Sequence, residues 1–358
     1  MDIKVVDRRA IGEYLSLYKG VYKDNIYFRD SMSIVLKGIL TGKSLICKSS
    51  IVKPIIVMES GKVVAACIFA IVDRMKDTLQ LTFFEALSNQ ENAVEKMIDY
   101  GRRLAREQGI NKILVGLNFH VNYGLGLLAD NYNSLQGFGT QYNPPYYIDY
   151  FKKYATEEIK LVNYIGKMDK FDSILNHELL NRIEDKYSVR KADFRNIEKD
   201  VQIYTDLNNQ AFSNHKFYYG RRVEEDVELF KDLRLLLKEE NLLILEYEGT
   251  PIGFMLWYPD FNQLIKPGEP IGIKTVIKNK FFSHKIKTFK IVELGVLPEF
   301  QKKGGVLALF NKCRHLVKDR YEFCESGWVL EDNLDSKGFG LRWADKEYKH
   351  YKVFLINL

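Results

Sequence analysis

The sequence predicts a mixed α/β fold that occurs twice along the chain, each copy a mixed, mainly antiparallel sheet flanked by helices. Three observations predict it. The same order of strand and helix patterns occurs in each half. The distance from the first strand to a hairpin glycine is about 60 residues in both, from Ile3 to Gly61 and from Tyr187 to Gly249. The sequences around the two hairpin turns are also similar, E-S-G-K-V-V-A-A in the first half and E-Y-E-G-T-P-I-G in the second. We expect an internal duplication.

The first half contains apolar patterns with clear turn signals between them. In order they predict a strand at 3–6, helices at 8–22 and 32–40, a hairpin of 54–59 and 62–71, a strand at 79–87, a helix at 93–105 and a strand at 112–119. Ser60-Gly61 forms the hairpin turn, and Gln108-Gly109 ends the last helix.

The second half repeats this order. It predicts a strand at 187–190, a helix at 197–212, a hairpin of 242–247 and 252–258, a strand at 291–297, a helix beginning near residue 306 and a strand at 323–330. We place the domains at 1–168 and 187–358, with a helical linker at 169–186. One stripe of that linker is apolar: Phe171, Ile174, Leu175, Leu179 and Ile183. The segment 259–290 is an insertion, rich in lysine with Phe281 and Phe282, and we expect a solvated strand pair or loop, or a basic strip for RNA or an acidic surface.

Composition narrows the function classes. The 358 residues carry 53 basic and 47 acidic side chains, a net charge of +6, which is too mild for a dedicated nucleic-acid binder. We expect no nucleic-acid partner. The four cysteines have no C-x-x-C spacing, so neither a disulfide framework nor a metal site is expected. The N-terminus lacks the apolar core of a signal peptide, and no run of about 18 apolar residues occurs. We therefore expect a cytoplasmic protein with no membrane partner.

The stretch 291–330 carries the chemistry. Pro298 ends an apolar strand, and a polar turn with Gly304 and Gly305 leads into a helix. Free backbone N–H groups and the positive end of the helix dipole make such a turn an anion site. Lys302 and Lys303 add positive charge there. The alternative is an ordinary strand-to-helix connection with a solvated lysine pair.

The sequence of this stretch resembles the acyl-CoA-binding motif of the GNAT superfamily of N-acyltransferases. The matching residues read E-L-G-V-L-P-E-F-Q-K-K-G-G-V-L-A-L. The resemblance implies that acetyl-CoA or another acyl-CoA is a co-substrate. Its cofactor-binding positions would be Leu294, Gly295, Val296, Gln301, Lys302, Lys303, Gly304, Gly305, Val306 and Asn333. Val306 departs from the pattern, which has glycine or alanine there, and its branched side chain would crowd a pyrophosphate.

The family resemblance also suggests catalytic residues. Glu293, on the strand before the turn, would be the general base, although an outward-facing glutamate is the equal alternative. The family's tyrosine acid follows an N-x-x-A-x-x-x-Y pattern, in which Asn333 matches the asparagine and Gly340 takes the tyrosine place. The acid is therefore unassigned, with Tyr348 and Tyr351 as substitutes that are more simply read as core residues.

The first half has no phosphate turn, because Glu85 and Ala86 are followed by S-N-Q-E-N rather than by glycine. We interpret it as degenerate for CoA. Several segments of the sequence resemble an uncharacterised N-acyltransferase-like family of tandem GNAT proteins, among them G-L-N-F-H-V-N-Y-G-L-G-L-L and Y-N-P-P-Y-Y. The prediction is an acyl-CoA-dependent N-acyltransferase, acting on an amine of a small molecule or peptide. The alternatives are a non-catalytic GNAT-fold module that binds CoA or a metabolite, and a Fem-type aminoacyl transferase. The oligomeric state is left open.

Overall fold

The computed structural model describes residues 1–172 and 177–358. Its strands are β1 (Asp2–Val5), β2 (Ser50–Glu59), β3 (Lys62–Val72), β4 (Leu79–Ala86), β5 (Lys112–Val115), β6 (Leu127–Leu128), β7 (Glu157–Lys167), β8 (Ser188–Lys191), β9 (Leu242–Tyr247), β10 (Thr250–Pro259), β11 (Thr288–Val296), β12 (Phe323–Ser326), β13 (Val329–Leu330) and β14 (Lys346–Asn357). Its α-helices are α1 (Ile11–Val21), α2 (Ser33–Leu40), α3 (Glu91–Glu107), α4 (Tyr146–Lys152), α5 (Met168–Asp172), α6 (His177–Glu184), α7 (Ile197–Ala211), α8 (Val223–Leu233), α9 (Ile273–Phe282), α10 (Gly305–Val317) and α11 (Leu334–Trp343).

The first compact unit consists of Met1–Leu161, Ile265–Gly272 and Lys349–Leu358. Its strands lie in the order β1-β2-β3-β4-β5-β14. β4 and β5 are parallel, whereas the other neighbouring pairs are antiparallel. The last strand completes this sheet, because Phe354–Asn357 pair with 112–115 of β5.

The second unit consists of Val162–Leu264 and Ile273–Tyr348. Its strands lie in the order β7-β12-β11-β10-β9-β8, with only β11 and β12 parallel among these pairs. The two units thus have the same strand order, and the predicted duplication and mixed sheet are confirmed. Each unit takes one strand from the other half of the sequence. The units are therefore not two consecutive stretches, and the boundaries at 168 and 187 stay a prediction.

The two predicted hairpins have the same turn. Ser60 and Gly61 have φ values of +49° and +78°, and Glu248 and Gly249 have φ values of +50° and +77°. Two consecutive residues with positive φ form the two-residue turn whose twist matches antiparallel strands. This is why each hairpin needs a glycine at its second turn position.

The helices pack closely on the sheets. α3 buries one face on the core of the first unit, and a Cβ at Gly101 would lie 2.6 Å from the ring of Phe69 in β3. In the second unit, a Cβ at Gly305 of α10 would lie 2.7 Å from Leu245 of β9. Glycine at these positions lets helix and strand backbones approach.

Two segments differ from the structure predicted from the sequence, and part of a third lies outside the described residues. The insertion 259–290 contains helix α9 and no strand pair of its own. The strand predicted at 112–119 ends at Val115, because Gly116 has a φ of +99° that leaves the extended conformation. In the linker, α6 buries Ile183, whereas Ile174 and Leu175 lie outside the described residues. Across 1–172 and 177–358, no helix has both the length and the apolar character needed to cross a membrane.

Candidate active site

Glu293 lies in β11 where the pairing with β10 is irregular. It faces Leu256, and the register shifts between Leu256 and Trp257, so that Val292 is an extra residue in β11. A bulge of this kind redirects the neighbouring side chains. Only 16% of the Glu293 side chain is exposed, which places the carboxylate inside the unit rather than on a solvated strand face.

Two hydrogen-bond donors and one buried cation converge on one oxygen of this carboxylate. Tyr204 Oη and Asn208 Nδ2 donate to Glu293 Oε2 over 2.5 and 2.7 Å. These two residues lie one turn apart on α7, so a single helix face presents both. Arg221 Nη2 lies 3.5 Å from the same oxygen. Oε1 receives no hydrogen bond from the described residues, and its lone pairs remain able to accept a proton.

Arg221 is a buried cation behind Glu293, with only 2% of its side chain exposed. Its Nε lies 3.4 Å from Asp226 Oδ2, and its guanidinium lies 4.8 Å from the Tyr204 ring centroid. Burial lowers the pKa of Arg221, whereas the neighbouring Tyr204, Glu293 and Asp226 raise it by more. The net pKa of Arg221 is therefore well above the usual range. Arg221 therefore stays charged beside the Glu293 carboxylate, whose position is set by the hydrogen bonds from Tyr204 and Asn208.

Asp226 balances that charge. Thr205 Oγ1 donates to Asp226 Oδ2 over 2.7 Å. Burial raises the pKa of Asp226, and the charge of Arg221 and the Thr205 hydrogen bond oppose this rise. Tyr204 has a pKa raised mainly by burial, so its hydroxyl keeps its proton and acts as a donor to Glu293.

The strand that carries Glu293 becomes an open edge within the second unit. The pairing of β11 with β12 ends at Ile291 and Ser326, and Gly327 N then donates to Ile291 O over 2.6 Å. A Cβ at Gly327 would lie 2.4 Å from Val292 O, so only glycine fits there. Further along, β13 pairs with β7. Backbone groups of β11 from Glu293 onward therefore face a gap between strands in this part of the described chain.

A tight turn joins this edge to α10. Gln301 Nε2 donates to Val296 O over 3.1 Å and closes the turn. Lys302 and Gly304 have φ values of +59° and +93°, in the left-handed region. The backbone N–H groups of residues 302–306 find no acceptor among the described residues. Unpaired N–H groups beside a helix N-terminus form an anion-binding cradle, so this turn fits a pyrophosphate.

The other predicted binding positions surround that cradle. Lys302 and Lys303 are exposed, and Lys302 Nζ lies 3.1 Å from Asp335 Oδ2 in a solvated pair that adds little stability. Val306, which departs from the family pattern, is half-buried on the first turn of α10.

Gly295 has a packing role. A Cβ there would lie 2.6 Å from the Phe254 ring and 3.1 Å from Ala211. Its neighbours in β11 are Leu294, which is half-buried, and Val296, which is buried.

Asn333 caps α11, since its Oδ1 accepts a hydrogen bond from Ser336 N over 3.1 Å. Gly340 of α11 occupies the position where the family pattern has a tyrosine. The space beside it contains the ring of a tyrosine from a strand. A Cβ at Gly340 would lie 2.8 Å from the ring of Tyr164 in β7. The Tyr164 hydroxyl is buried without a hydrogen-bond partner among the described residues, and burial raises its pKa to about 12. Of the two tyrosines considered from the sequence, Tyr351 is buried within the first unit and Tyr348 is half-buried.

The first unit also has a glutamate on the strand before its main helix. Glu85 of β4 is buried, and Tyr147 Oη and Tyr22 Oη donate to its two oxygens over 2.8 and 3.3 Å. Burial raises the pKa of Glu85 to about 8, although the two tyrosine hydrogen bonds oppose the rise. The turn that follows differs from the one before α10, because Gln90 N already donates to Tyr150 Oη over 2.9 Å.

Glu293 and the glycine turn are candidate site residues that the sequence predicts, whereas Tyr204, Asn208 and Arg221 are not. A signal for the helix residues exists in the sequence. Asp200, Tyr204 and Asn208 follow one another at four-residue spacing, and all three are buried on α7. Polar side chains on the buried face of a helix need hydrogen-bond partners inside the protein. A row of such side chains therefore indicates a candidate site. Arg221 has no such signal, since it lies in an irregular segment before α8.

Comparison with known sequences gives distant relatives. No family model matches the chain. Protein YghO of Escherichia coli strain K12 is 20% identical over 260 residues, 70% of this chain and 66% of that protein. The bacterial ceramide synthase of Caulobacter vibrioides is 24% identical over 179 residues, 46% of this chain and 45% of that protein. The chain thus spans just under two thirds of one curated relative and under half of the other.

Solved structures resemble the whole chain. A tandem GNAT protein from the clavulanic acid biosynthesis pathway matches with a TM-score of 0.58 and 11% identity, over 99% of this chain and 98% of that one. A GCN5-related glucosamine N-acetyltransferase region of a fungal β-N-acetylglucosaminidase matches with a TM-score of 0.59 and 14% identity, over 99% and 38%. A conserved protein of Enterococcus faecalis V583 of unknown function, titled a probable N-acyltransferase, matches with a TM-score of 0.56 and 9% identity, over 99% and 72%. At these identities the likeness establishes the fold, and the chain has two GNAT folds in tandem.

Proposed function

We propose that the chain transfers an acyl group from acyl-CoA to an amine, with the reaction centre in the second unit. The observation that carries this proposal is the Glu293 carboxylate, held through Oε2 by Tyr204, Asn208 and Arg221 on the strand that leads into the glycine turn. A carboxylate fixed on one oxygen and open on the other is arranged for proton transfer.

The co-substrate would be held mainly by backbone groups. Residues 302–306 offer N–H groups to the pyrophosphate, and Lys302 and Lys303 offer charge to the phosphates. The open edge of β11 at Leu294, Gly295 and Val296 offers amides and carbonyls to the extended arm. Acyl-CoA supplies a thioester, whose carbonyl carbon bonds to the amine nitrogen while the C–S bond breaks.

The protein's own groups manage the protons. Glu293 Oε1 takes the proton that the amine nitrogen loses, while Tyr204 and Asn208 keep the carboxylate oriented through the opposite oxygen. The Tyr164 hydroxyl is our candidate for the proton donor to the leaving sulfur. It lies beside Gly340, where the family pattern has its tyrosine, and its pKa of about 12 keeps it protonated.

The comparisons support amide formation as the reaction class. Two of the similar solved structures carry N-acetyltransferase or N-acyltransferase in their titles. One curated relative is named a ceramide synthase, and ceramide is itself an N-acylated amine. The acceptor is therefore proposed as an amine of a small molecule or peptide, the acyl chain as acetyl or longer, and the location as the cytoplasm.

The test has a binding arm and a turnover arm. Acetyl-CoA and longer acyl-CoAs are titrated calorimetrically into the protein, and release of the free CoA thiol is followed with a panel of amines. We expect binding that is lost in Gly304→Glu, because a Cβ at this position would lie 3.1 Å from Ile183 and the larger side chain would displace the turn that forms the cradle. Since that change strains the backbone at a positive φ, Lys302→Glu with Lys303→Glu serves as a second variant on exposed side chains. Lys318→Glu, also exposed and in the same unit, is the matched control.

In the turnover arm, Glu293→Gln should bind acyl-CoA normally but lower kcat by about 100-fold or more, the range that general base catalysis contributes. Glu299→Gln, an exposed neighbour, should behave as the parent protein. Acyl-CoA binding with no thiol release for any amine would instead indicate a binding module. Activity that requires charged tRNA instead of acyl-CoA would indicate a Fem-type transferase. No binding of any acyl-CoA would refute the proposal.

A further inference from the structure

Helix α9 presents an apolar stripe to solvent. Ile273, Ile277 and Phe281 are 75%, 53% and 63% exposed. At about 100° per residue, these three positions fall within an arc of roughly 80° on one face of the helix. The opposite face packs on the unit through the buried Thr275. An exposed apolar stripe of this length on a short helix is not explained by packing within the described residues.

The sequence segment that contains this stripe has charged side chains of one sign only. From residue 270 to 292 the sequence contains lysines and no aspartate or glutamate: Lys274, Lys278, Lys280, Lys285, Lys287 and Lys290. Lys274 and Lys280 are exposed and border the stripe on its two sides. Lys285 is exposed and lies 4.8 Å from the ring centroid of Phe282, which is itself 44% exposed. Lys287 is paired with Glu322 over 2.6 Å, and we leave it out of the surface.

We propose that this surface, formed by Ile273, Ile277, Phe281, Lys274 and Lys280, with Lys285 just after the helix, binds the face of an anionic lipid bilayer. Apolar side chains flanked by lysines let a helix lie in the headgroup region, with its apolar stripe toward the acyl chains and its lysines at the phosphates. Anionic lipids attract each such lysine by an amount worth about a fivefold change in partitioning.

Other partners fit the surface less well. Proteins bind single-stranded RNA by stacking its bases on aromatic rings and by contacts from arginine. Two of the three residues of this stripe are isoleucines, and residues 270–292 contain no arginine. A second copy of the chain would bring lysines against lysines. The expectation of no membrane partner rested on the lack of a spanning segment, which a helix lying on the bilayer surface does not need.

The test is co-flotation of the protein with vesicles, either of phosphatidylcholine alone or of phosphatidylcholine mixed with phosphatidylglycerol. We expect binding to the mixed vesicles only. Raising the ionic strength from about 0.1 M to 1 M, which shortens the screening length from ~10 to ~3 Å, should weaken it. Binding needs no acyl transfer, so the result stands whether or not the protein turns over.

Two sets of variants separate the contributions. Ile277→Ser with Phe281→Ser should reduce partitioning at least about tenfold, because the apolar burial is lost. Lys274→Gln, Lys280→Gln and Lys285→Gln together should reduce it by about 100-fold. Leu235→Ser and Lys318→Gln, at exposed positions elsewhere in the second unit, are the matched controls and should bind as the parent does.

Three results would overturn the proposal. One is equal partitioning to neutral and anionic vesicles, or to neither. Another is single-stranded RNA that binds to the parent but not to the lysine variant while vesicles do not. The third is dimerisation, seen by light scattering, that disappears with the Ile277 and Phe281 substitutions.

Discussion

Replacing Glu85 by Gln should make the protein less sensitive to pH. Glu85 is buried in the first unit between the hydroxyls of Tyr147 and Tyr22. A glutamine has the shape of the protonated acid and keeps an acceptor oxygen and a donor for the same neighbours. The substitution therefore removes the charge change at this position while leaving its packing in place.

The magnitude follows from the pKa difference. The pKa of Glu85 is about 8 in the folded protein, against an ordinary value of 4.5 for a glutamate. Between these values the folded state binds more protons than the unfolded chain, so the free energy of unfolding falls as the pH rises. At 1.36 kcal/mol per pH unit the full loss across this window is ~5 kcal/mol, of which roughly 2–3 kcal/mol falls between pH 5 and 7. The stabilising effect of the proton is fully present below the unfolded pKa and is lost by about pH 8.

Urea unfolding followed by circular dichroism at pH 5, 6, 7 and 8 measures this directly. The parent should be closest in stability to Glu85→Gln at pH 5 and fall progressively further below it at higher pH. Glu95→Gln, on the exposed side of α3, is the control and should follow the parent at every pH. A difference between parent and Glu85→Gln that stays constant from pH 5 to 8 would refute the assignment of a raised pKa to Glu85.

Three further substitutions have clear expected outcomes in thermal or urea unfolding. Asp226→Ala should destabilise the protein by about 3 kcal/mol, the lower end for breaking a buried ion pair, because the buried Arg221 keeps only Glu293 of its two carboxylate neighbours; an effect below about 1 kcal/mol would contradict this. Gly101→Ala should destabilise by about 1–3 kcal/mol, because the new Cβ would lie 2.6 Å from the buried ring of Phe69. Gly12→Ala, also helical but with no atom within 4 Å of the new Cβ, should instead stabilise by about 0.5–1 kcal/mol; equal effects at the two glycines would show that helix propensity, and not packing, decides.

The parts of the fold that the sequence predicts are the ones fixed by local chemistry. The two hairpins follow from Gly61 and Gly249, which supply a positive φ at the turn. The strand that contains Glu293 and the turn at Gly304 follow from an apolar run, a proline and a glycine pair within a short stretch. Local rules of this kind need no knowledge of the rest of the chain.

The parts that the sequence leaves open depend on distant residues. Tyr204 and Asn208 reach Glu293 across 89 and 85 positions of the chain. The pairing of β14 with β5 and of β7 with β12 is equally non-local, and an apolar strand carries no signal for which neighbour it will join. Helix α9 was missed for a different reason. Its lysine-rich sequence favours a solvated strand pair or loop, although Ile273, Ile277 and Phe281 recur at the four-residue spacing of a helix.

The membership of β14 in the first sheet has a consequence for biosynthesis. A ribosome makes β1 to β5 early, but the strand that covers β5 is made after all other strands of the described chain. Until Phe354–Asn357 emerge, β5 presents an unpaired edge, the kind of surface that joins the wrong partner in a nascent chain. The first unit should therefore be the last to become resistant to protease during translation. Removing residues 349–358 should expose the amide protons of β5 to exchange while those of β9 and β10 stay protected.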